Sequence, residues 1–413
     1  MLIVAAAGLA AVAASAPRQG PPELLRQDVL INADLWDTKP RMMAAGLGFT
    51  NIVGVPGLTA DDLTRSEALV RRAGGAWNPV ECSPGTSLAP WTSASTPQQV
   101  AVAYGGPIVN GDGLPVEFSW PVRPSTVDPS DFRVTLNTGD VVTPQLASIY
   151  PNAEYNERSV VVLFGRFGNR LPASDPKSVY PIRTAVVARL QLVGAHAHVV
   201  SAVGLAAKSS GSPYSEGRSG PRLVAAKLSR MSAEGDTAPA PFDGVLPNPG
   251  TALYGAQARF RLRIYTTGGF SPDGVRAVLP TEFARYFRLH ARDTGGRDVV
   301  VSDANVDYSI GGGRLRVLGL ADLGRPSSTY DECYLEDKDN YIDIVLDGSA
   351  AAARRITSVE IPAAGSYSPF YNPGGPGSSP TPGVRYTAPG PSQRQKVTIA
   401  LDDPMTVSFS PRP

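Results

Sequence analysis

Only two cysteines and three histidines occur among the 413 residues, and that scarcity removes several chemistries at once. Two thiols, Cys82 and Cys333, cannot build a zinc ribbon and do not form a redox Cys-x-x-Cys pair. Charged residues are also scarce, at 18% against the ~25% usual in soluble domains. Their signs balance to a net charge of +1, and no basic block is long enough to follow a phosphate backbone, so nucleic acid is not expected as a partner. Past the first residues no stretch reaches ~18 consecutive apolar residues, so no membrane span is expected in the mature chain. Nucleophile and phosphate signatures are missing as well. There is no Gly-x-Ser-x-Gly elbow, no Walker loop, no His-Glu-x-x-His and no dinucleotide Gly-x-Gly-x-x-Gly following a strand.

Glycine and proline are plentiful instead. The 42 Gly and 39 Pro are too many for a helical bundle or coiled coil and suit a loop-rich β protein. At ~100–200 residues per domain, the length accommodates two or three domains. Residues 2–14 form an apolar run of export-signal length, too short to span a ~30 Å bilayer, and small residues follow it. We expect a signal peptide over residues 1–16, cleaved at Ala11-Val12-Ala13 or Ala14-Ser15-Ala16, and a secreted or periplasmic mature chain. No Lys or Arg precedes the run, where such signals carry positive charge. In an oxidising compartment Cys82 and Cys333 can close one disulfide; the alternative is two unrelated buried thiols.

Residues 17–113 read as a small helical appendage followed by a Pro/Ser-rich connection. Thr59 is a plausible N-cap with Asp62 three residues on. Arg71 and Arg72 sit at the negative end of that helix, and Gly74-Gly75 stops it. Trp77, Trp91 and Tyr104 punctuate the connection; such aromatics either bind carbohydrate faces or pin the loop to a core. From residue 114 the pattern changes to short strands with turn residues every 8–12 positions. Val116 and Phe118 alternate with polar neighbours, as do Phe132, Val134 and Leu136 before a turn at Thr138-Gly139-Asp140. Residues 160–164 are a continuous apolar run that suits a central strand, and 185–193 and 196–203 supply further strands.

The stretch Val116-Glu117-Phe118-Ser119-Trp120-Pro121-Val122-Arg123-Pro124-Ser125-Thr126-Val127, then Asp131-Phe132-Arg133-Val134, resembles the opening of bacterial Ig-like domains. Gly168-Asn169-Arg170-Leu171 is similar to a Gly-Asn-x-Leu turn late in such domains, although their closing Pro-Gly-Thr-x-Tyr turn is missing. The likeness covers residues 114–206. It implies an Ig-like sandwich from a secreted or cell-surface protein, acting as spacer or adhesive unit, with no catalytic residues to carry over. An echo recurs about 155 residues later: Phe132-Arg133-Val134 finds Phe287-Arg288-Leu289, and Phe118-Ser119 finds Phe270-Ser271. The expected architecture is therefore all-β: tandem Ig-like β-sandwiches with a small N-terminal helical appendage. The second, sandwich-like domain covers 251–413 and carries a Pro/Gly-rich loop at 369–391. A linker at 207–250 joins the two, with only 222–231 ordered.

Two constellations could carry chemistry. His196 and His198 are two apart, which on a strand puts both imidazoles on one face, where they could ligate zinc or copper with His290 or a carboxylate as third ligand. The run Asp331, Glu332, Glu336, Asp337, Asp339, Asp343 and Asp347 is acidic, and Asp337, Asp339 and Asp343 imitate a calcium loop. Ile342 stands where that loop needs Gly, however, and Gly348 where it needs Glu. The bland alternative is a strand with Tyr341, Asp343, Val345 and Asp347 on one face. No cofactor is expected, calcium being the one candidate. The function expected is a non-catalytic secreted or envelope-associated protein with a structural, adhesive or binding role, its partner a surface protein or a polysaccharide. The competing expectation is a secreted hydrolase or lyase, metal-assisted through His196 and His198.

Overall fold

Turn-bounded apolar alternation makes strands, and the chain obeys: 39% of it is strand against 16% helix, which sets the class as mostly β. The structure is a computed structural model of the chain. It describes residues 21–45, 49–78, 91–169, 171, 174–209, 221–245, 249–272, 276–324, 327–331, 333–334, 339–362 and 392–411. The expected export signal, Cys82, Arg170, Glu332, Glu336, Asp337 and the loop 369–391 lie outside the described residues.

In the first half two sheets face each other. One orders Met42–Ala45, Gly111–Phe118, Val160–Gly165 and Leu146–Ser148, with Phe49–Val53 also pairing with Gly111–Phe118. The other orders Ala206–Lys208, Pro181–Val186, Phe132–Leu136 and Val141–Val142. Leu114, Val116, Phe118, Val161 and Leu163 from the first meet Phe132, Val134, Leu136 and Val186 from the second in one core. Phe132–Leu136 keeps the buried and half-buried alternation that its sequence predicts. Gly111–Phe118 and Val160–Gly165 are instead buried at every position. The cause is a second cover. Val160, Val162 and Phe164 point to the opposite face, against Trp36, Val70, Val100, Ala225, Tyr265 and Tyr341.

This half is not confined to 114–206. The strands Met42–Ala45 and Phe49–Val53, from the expected appendage, complete its first sheet. Leu30–Asp34 pairs antiparallel with Thr406–Phe409, and Leu30, Ala33 and Val407 enter the same core. The helix Leu63–Ala73 is capped three residues later than the sequence predicts. Asp62, not Thr59, is the N-cap and accepts from the Arg65 N–H at 2.9 Å, while Gly74 closes the helix at φ 87° as expected. A second helix, Pro97–Tyr104, starts from a capping box between Thr96 and Gln99.

In place of a second pair of facing sheets, one nine-stranded sheet fills the later half. Its order is Asp298–Val301, Arg288–Arg292, Ile356–Ile361, Gln393–Ala400, Leu223–Arg230, Phe260–Thr266, Tyr341–Gly348, Gly313–Ala321, Tyr308–Ile310. Leu289 and Val301 from one end share a core with Ile310 and Leu315 from the other, so the sheet curls over itself. The expected linker supplies Leu223–Arg230, a central strand parallel to Gln393–Ala400 and antiparallel to Phe260–Thr266. The segment near 281–289 is both of its expected alternatives in turn: a short helix, Phe283–Tyr286, then the strand Arg288–Arg292.

Candidate functional site

His196 and His198 do not share a strand face. Residues Ala195–Ala197 turn between Gln191–Gly194 and His198–Ser201, with His196 and Ala197 at φ 57° and 58°, and both imidazoles are exposed. The hairpin that reverses here uses up the two-residue spacing that would have aligned them. His290 is engaged elsewhere: its Nε2 contacts Glu360 Oε2 at 2.5 Å and its Nδ1 contacts Asp298 Oδ2 at 3.2 Å. Asp343 lies on the strand Tyr341–Gly348, not in a cation loop, and binds Arg263 with both oxygens, at 2.8 and 3.1 Å. Asp339 is buried and accepts from the Tyr341 N–H at 2.8 Å. Asp347 pairs with Arg314 at 2.5 Å. Among the described residues, the acids and imidazoles that come together in threes are Glu154, Glu157 and Asp322, none of which the sequence singled out.

Those three belong to a seam between the halves. One face of the nine-stranded sheet is apolar, through Leu228, Leu262, Ile264, Ile342 and Ile344. Alternation puts Lys227, Arg261, Arg263, Tyr265, Tyr341 and Asp343 on the other. That face would meet water in a free sheet. Here the first half covers it, and Lys227, Arg261 and Arg263 are each 1–2% exposed. Lys227 and Arg263 are register partners, as are Arg263 and Asp343, so three charges stand in a row across three strands. Arg263 binds four carboxylates from four segments: Asp343, Asp34 at 3.3 Å, Glu157 at 2.6 Å and Asp322 at 3.0 Å. Lys227 pairs with Asp34 and donates to the Met405 carbonyl at 2.9 Å. Trp36, Tyr265 and Tyr341 stack beside them, with centroids 4.8 and 5.0 Å apart along the series. Lys227 lies 5.6 Å over Trp36 and Arg263 lies 5.5 Å over Tyr341.

Burial and pairing pull these groups apart electrically. Burial alone would raise the Asp34 carboxyl, but Lys227 and Arg263 hold it below its ordinary range. Burial pushes Glu154, Glu157 and Asp322 well above theirs, each further raised by a neighbouring carboxylate. Glu117, whose Oε1 accepts from Asn340 at 3.3 Å, is pushed up to about 8 by burial. A sealed network of this kind fixes how two units meet, since an unpaired buried charge is strongly unfavourable.

A second feature is open. A cleft of about 900 Å³ lies between the helices Leu63–Ala73 and Pro97–Tyr104. Trp77, Tyr104 and Tyr150 line it together with Thr92, Ser95 and Gln98, and among the described residues that line it there is no carboxylate, imidazole, thiol, amine or guanidinium. The aromatics are pinned: Trp77 is buried in the core under the helices, and the half-buried Tyr104 packs 4.2 Å from Phe164 and 5.2 Å from Tyr150. Burial and the neighbouring Tyr150 push the Tyr104 hydroxyl up, so it stays protonated. The aromatics Trp77 and Tyr104 were legible in sequence; the cleft was not, because facing helices create it. No protein-family model, curated protein or solved structure matches the chain.

Proposed function

We propose that this chain is an exported or envelope-associated, non-catalytic β protein that binds a neutral polar ligand, a polysaccharide segment, in the cleft between its two helices. The observation that carries the reading is the lining of that cleft, where aromatic rings and neutral hydroxyl and amide groups occur, among the described residues, without an acid–base pair or metal ligand. Such a lining offers apolar faces and hydrogen bonds to a sugar and no group to cleave it. The carboxylates that do converge, Glu154, Glu157 and Asp322, are buried in the seam and not in the cleft. The two facing sheets of the first half support the Ig-like likeness of residues 114–206, and the apolar segment 2–14 supports export.

Leu63 and Val102 face this cleft from opposite helices and are 45% and 58% exposed, so enlarging them narrows the cleft without touching a core. Neutral polysaccharides are run against the full chain in affinity gels. Retardation that Leu63→Trp and Val102→Trp abolish, with circular dichroism unchanged, is the expected result. Release of reducing ends from the polysaccharide would move the chain to the hydrolase class, and no retardation by any neutral polysaccharide would remove the binding reading.

A further inference from the structure

The turn before Val160–Gly165 and the end of Gly313–Ala321 bring Glu154, Glu157 and Asp322 together, with one carboxylate oxygen of each within 4.8 Å of the others. All three are at most 5% exposed. An ion with bonds of ~2.4 Å can bridge oxygens up to ~4.8 Å apart, which is the reach of calcium; the ~2.1 Å bonds of magnesium reach only ~4.2 Å. The donors are all carboxylate oxygens, which favour a hard cation over zinc or copper.

Acids can cluster without an ion, so two independent observations matter. Glu154 Oε2 is buried without a hydrogen-bond donor, although Glu154 belongs to the converging set. Leaving such oxygens bare is costly in a medium without water. The local charge also fails to balance. Among the described residues, Asp34, Glu154, Glu157, Asp236, Asp322 and Asp343 gather around four cations, Lys227, Arg261, Arg263 and Arg158. Arg158 moreover spends its Nε and Nη2 on the Glu154 and Ala153 carbonyls, at 2.9 Å each. These six acids exceed the four cations by two negative charges.

We propose that Glu154, Glu157 and Asp322 hold one divalent cation of the calcium class, which neutralises the excess charge and locks the two halves of the chain at the seam. Arg263 braces two of the three ligands from the other side, through Glu157 and Asp322, and leaves Glu154 to the ion. This site is separate from the cleft and does not depend on what the cleft binds. The rival occupant is protons shared among the three carboxyls, which burial also favours.

Because the site is sealed, the ion has to be exchanged through the unfolded chain. The full chain is unfolded in denaturant with a chelator, dialysed, and refolded with excess calcium, with excess magnesium, or with neither. Calcium is expected to raise the thermal midpoint above the metal-free sample and to remain in equimolar amount by elemental analysis after desalting. Glu154→Gln, which makes no other described side-chain contact, should weaken calcium binding by more than about tenfold and abolish the shift. Identical midpoints with and without calcium, in a wild-type protein that retains no metal, would assign the site to protons and overturn the proposal. Equal retention of calcium by Glu154→Gln would overturn it too. The wild-type comparison decides by itself if the variant does not fold.

Discussion

Arg263 and Asp343 are direct cross-strand partners on neighbouring antiparallel strands, and the guanidinium meets the carboxylate with two hydrogen bonds, of 2.8 and 3.1 Å, in the buried interior. The pair joins adjacent strands of one sheet, while Asp34 and Glu157 reach the same guanidinium from the first half. One arginine is thus the common counterion of both units.

Replacing Arg263 takes a partner from four carboxylates and leaves Asp34 to Lys227 and Asp343 to Arg261, whereas replacing Asp343 leaves Arg263 with three partners. Arg263→Met should therefore destabilise the chain on the order of 3–5 kcal/mol, and Asp343→Asn by less. Urea unfolding of the two variants measures both. An Arg263→Met chain as stable as wild type would show that the row of charges is not what joins the halves.

The seam predicts a decline of stability toward alkaline pH. Glu117 is raised from 4.5 to about 8 by burial, so between those values the folded chain holds a proton that the unfolded chain has lost. Its contribution is complete below about 4.5 and is lost as pH rises through about 8, at about 1.4 kcal/mol per pH unit. Glu117→Gln keeps the oxygen that accepts from Asn340 and removes the charge. Its midpoint of unfolding should fall less steeply than wild type across this window, and parallel profiles would contradict the assignment.

Acid acts in the opposite sense at Glu360. Hydrogen bonds from Arg288, then the contact with His290, hold its carboxyl down to about 2. The stabilisation is present above about 4.5 and disappears as pH falls toward 2. Because Arg288 is 31% exposed, added salt should weaken it. Glu360→Gln should remove part of the acid dependence between these limits, read from thermal melts at stepped pH.

Cys82 and Cys333 are expected to be bonded in protein recovered from an oxidising compartment. Closing so long a loop is worth at most ~4–5 kcal/mol by chain entropy. A non-reduced digest should yield the two peptides linked; two thiols open to alkylation in the native protein would refute the pairing.

Strand positions were the legible part of the fold. Phe132–Leu136 and Val160–Gly165 lie where alternation and the apolar run put them, and Gly74 ends its helix because a left-handed residue is needed there. Partnership was not legible. Leu223–Arg230 reads as an ordered island in a turn-rich linker, and nothing local shows that Gln393–Ala400 pairs with it from far along the chain. The His196 and His198 spacing misled for the related reason that a two-residue period carries meaning only after the backbone is known to be extended, and a turn intervened.

Composition and period, by themselves, determined that this chain is mostly β and that it lacks the known nucleophile and phosphate motifs. They also put Asp343 and Asp347 with Tyr341 on one face of the strand Tyr341–Gly348. Whether that face met water or protein was left to the tertiary structure. Local sequence records side-chain polarity, but burial depends on what packs opposite, and here the covering residues Asp34, Glu154 and Glu157 come from elements more than sixty residues away from the strands they neutralise. Only their assembly turned an ordinary polar face into a buried, charge-imbalanced seam, and only the approach of two helices opened a neutral cleft beside it.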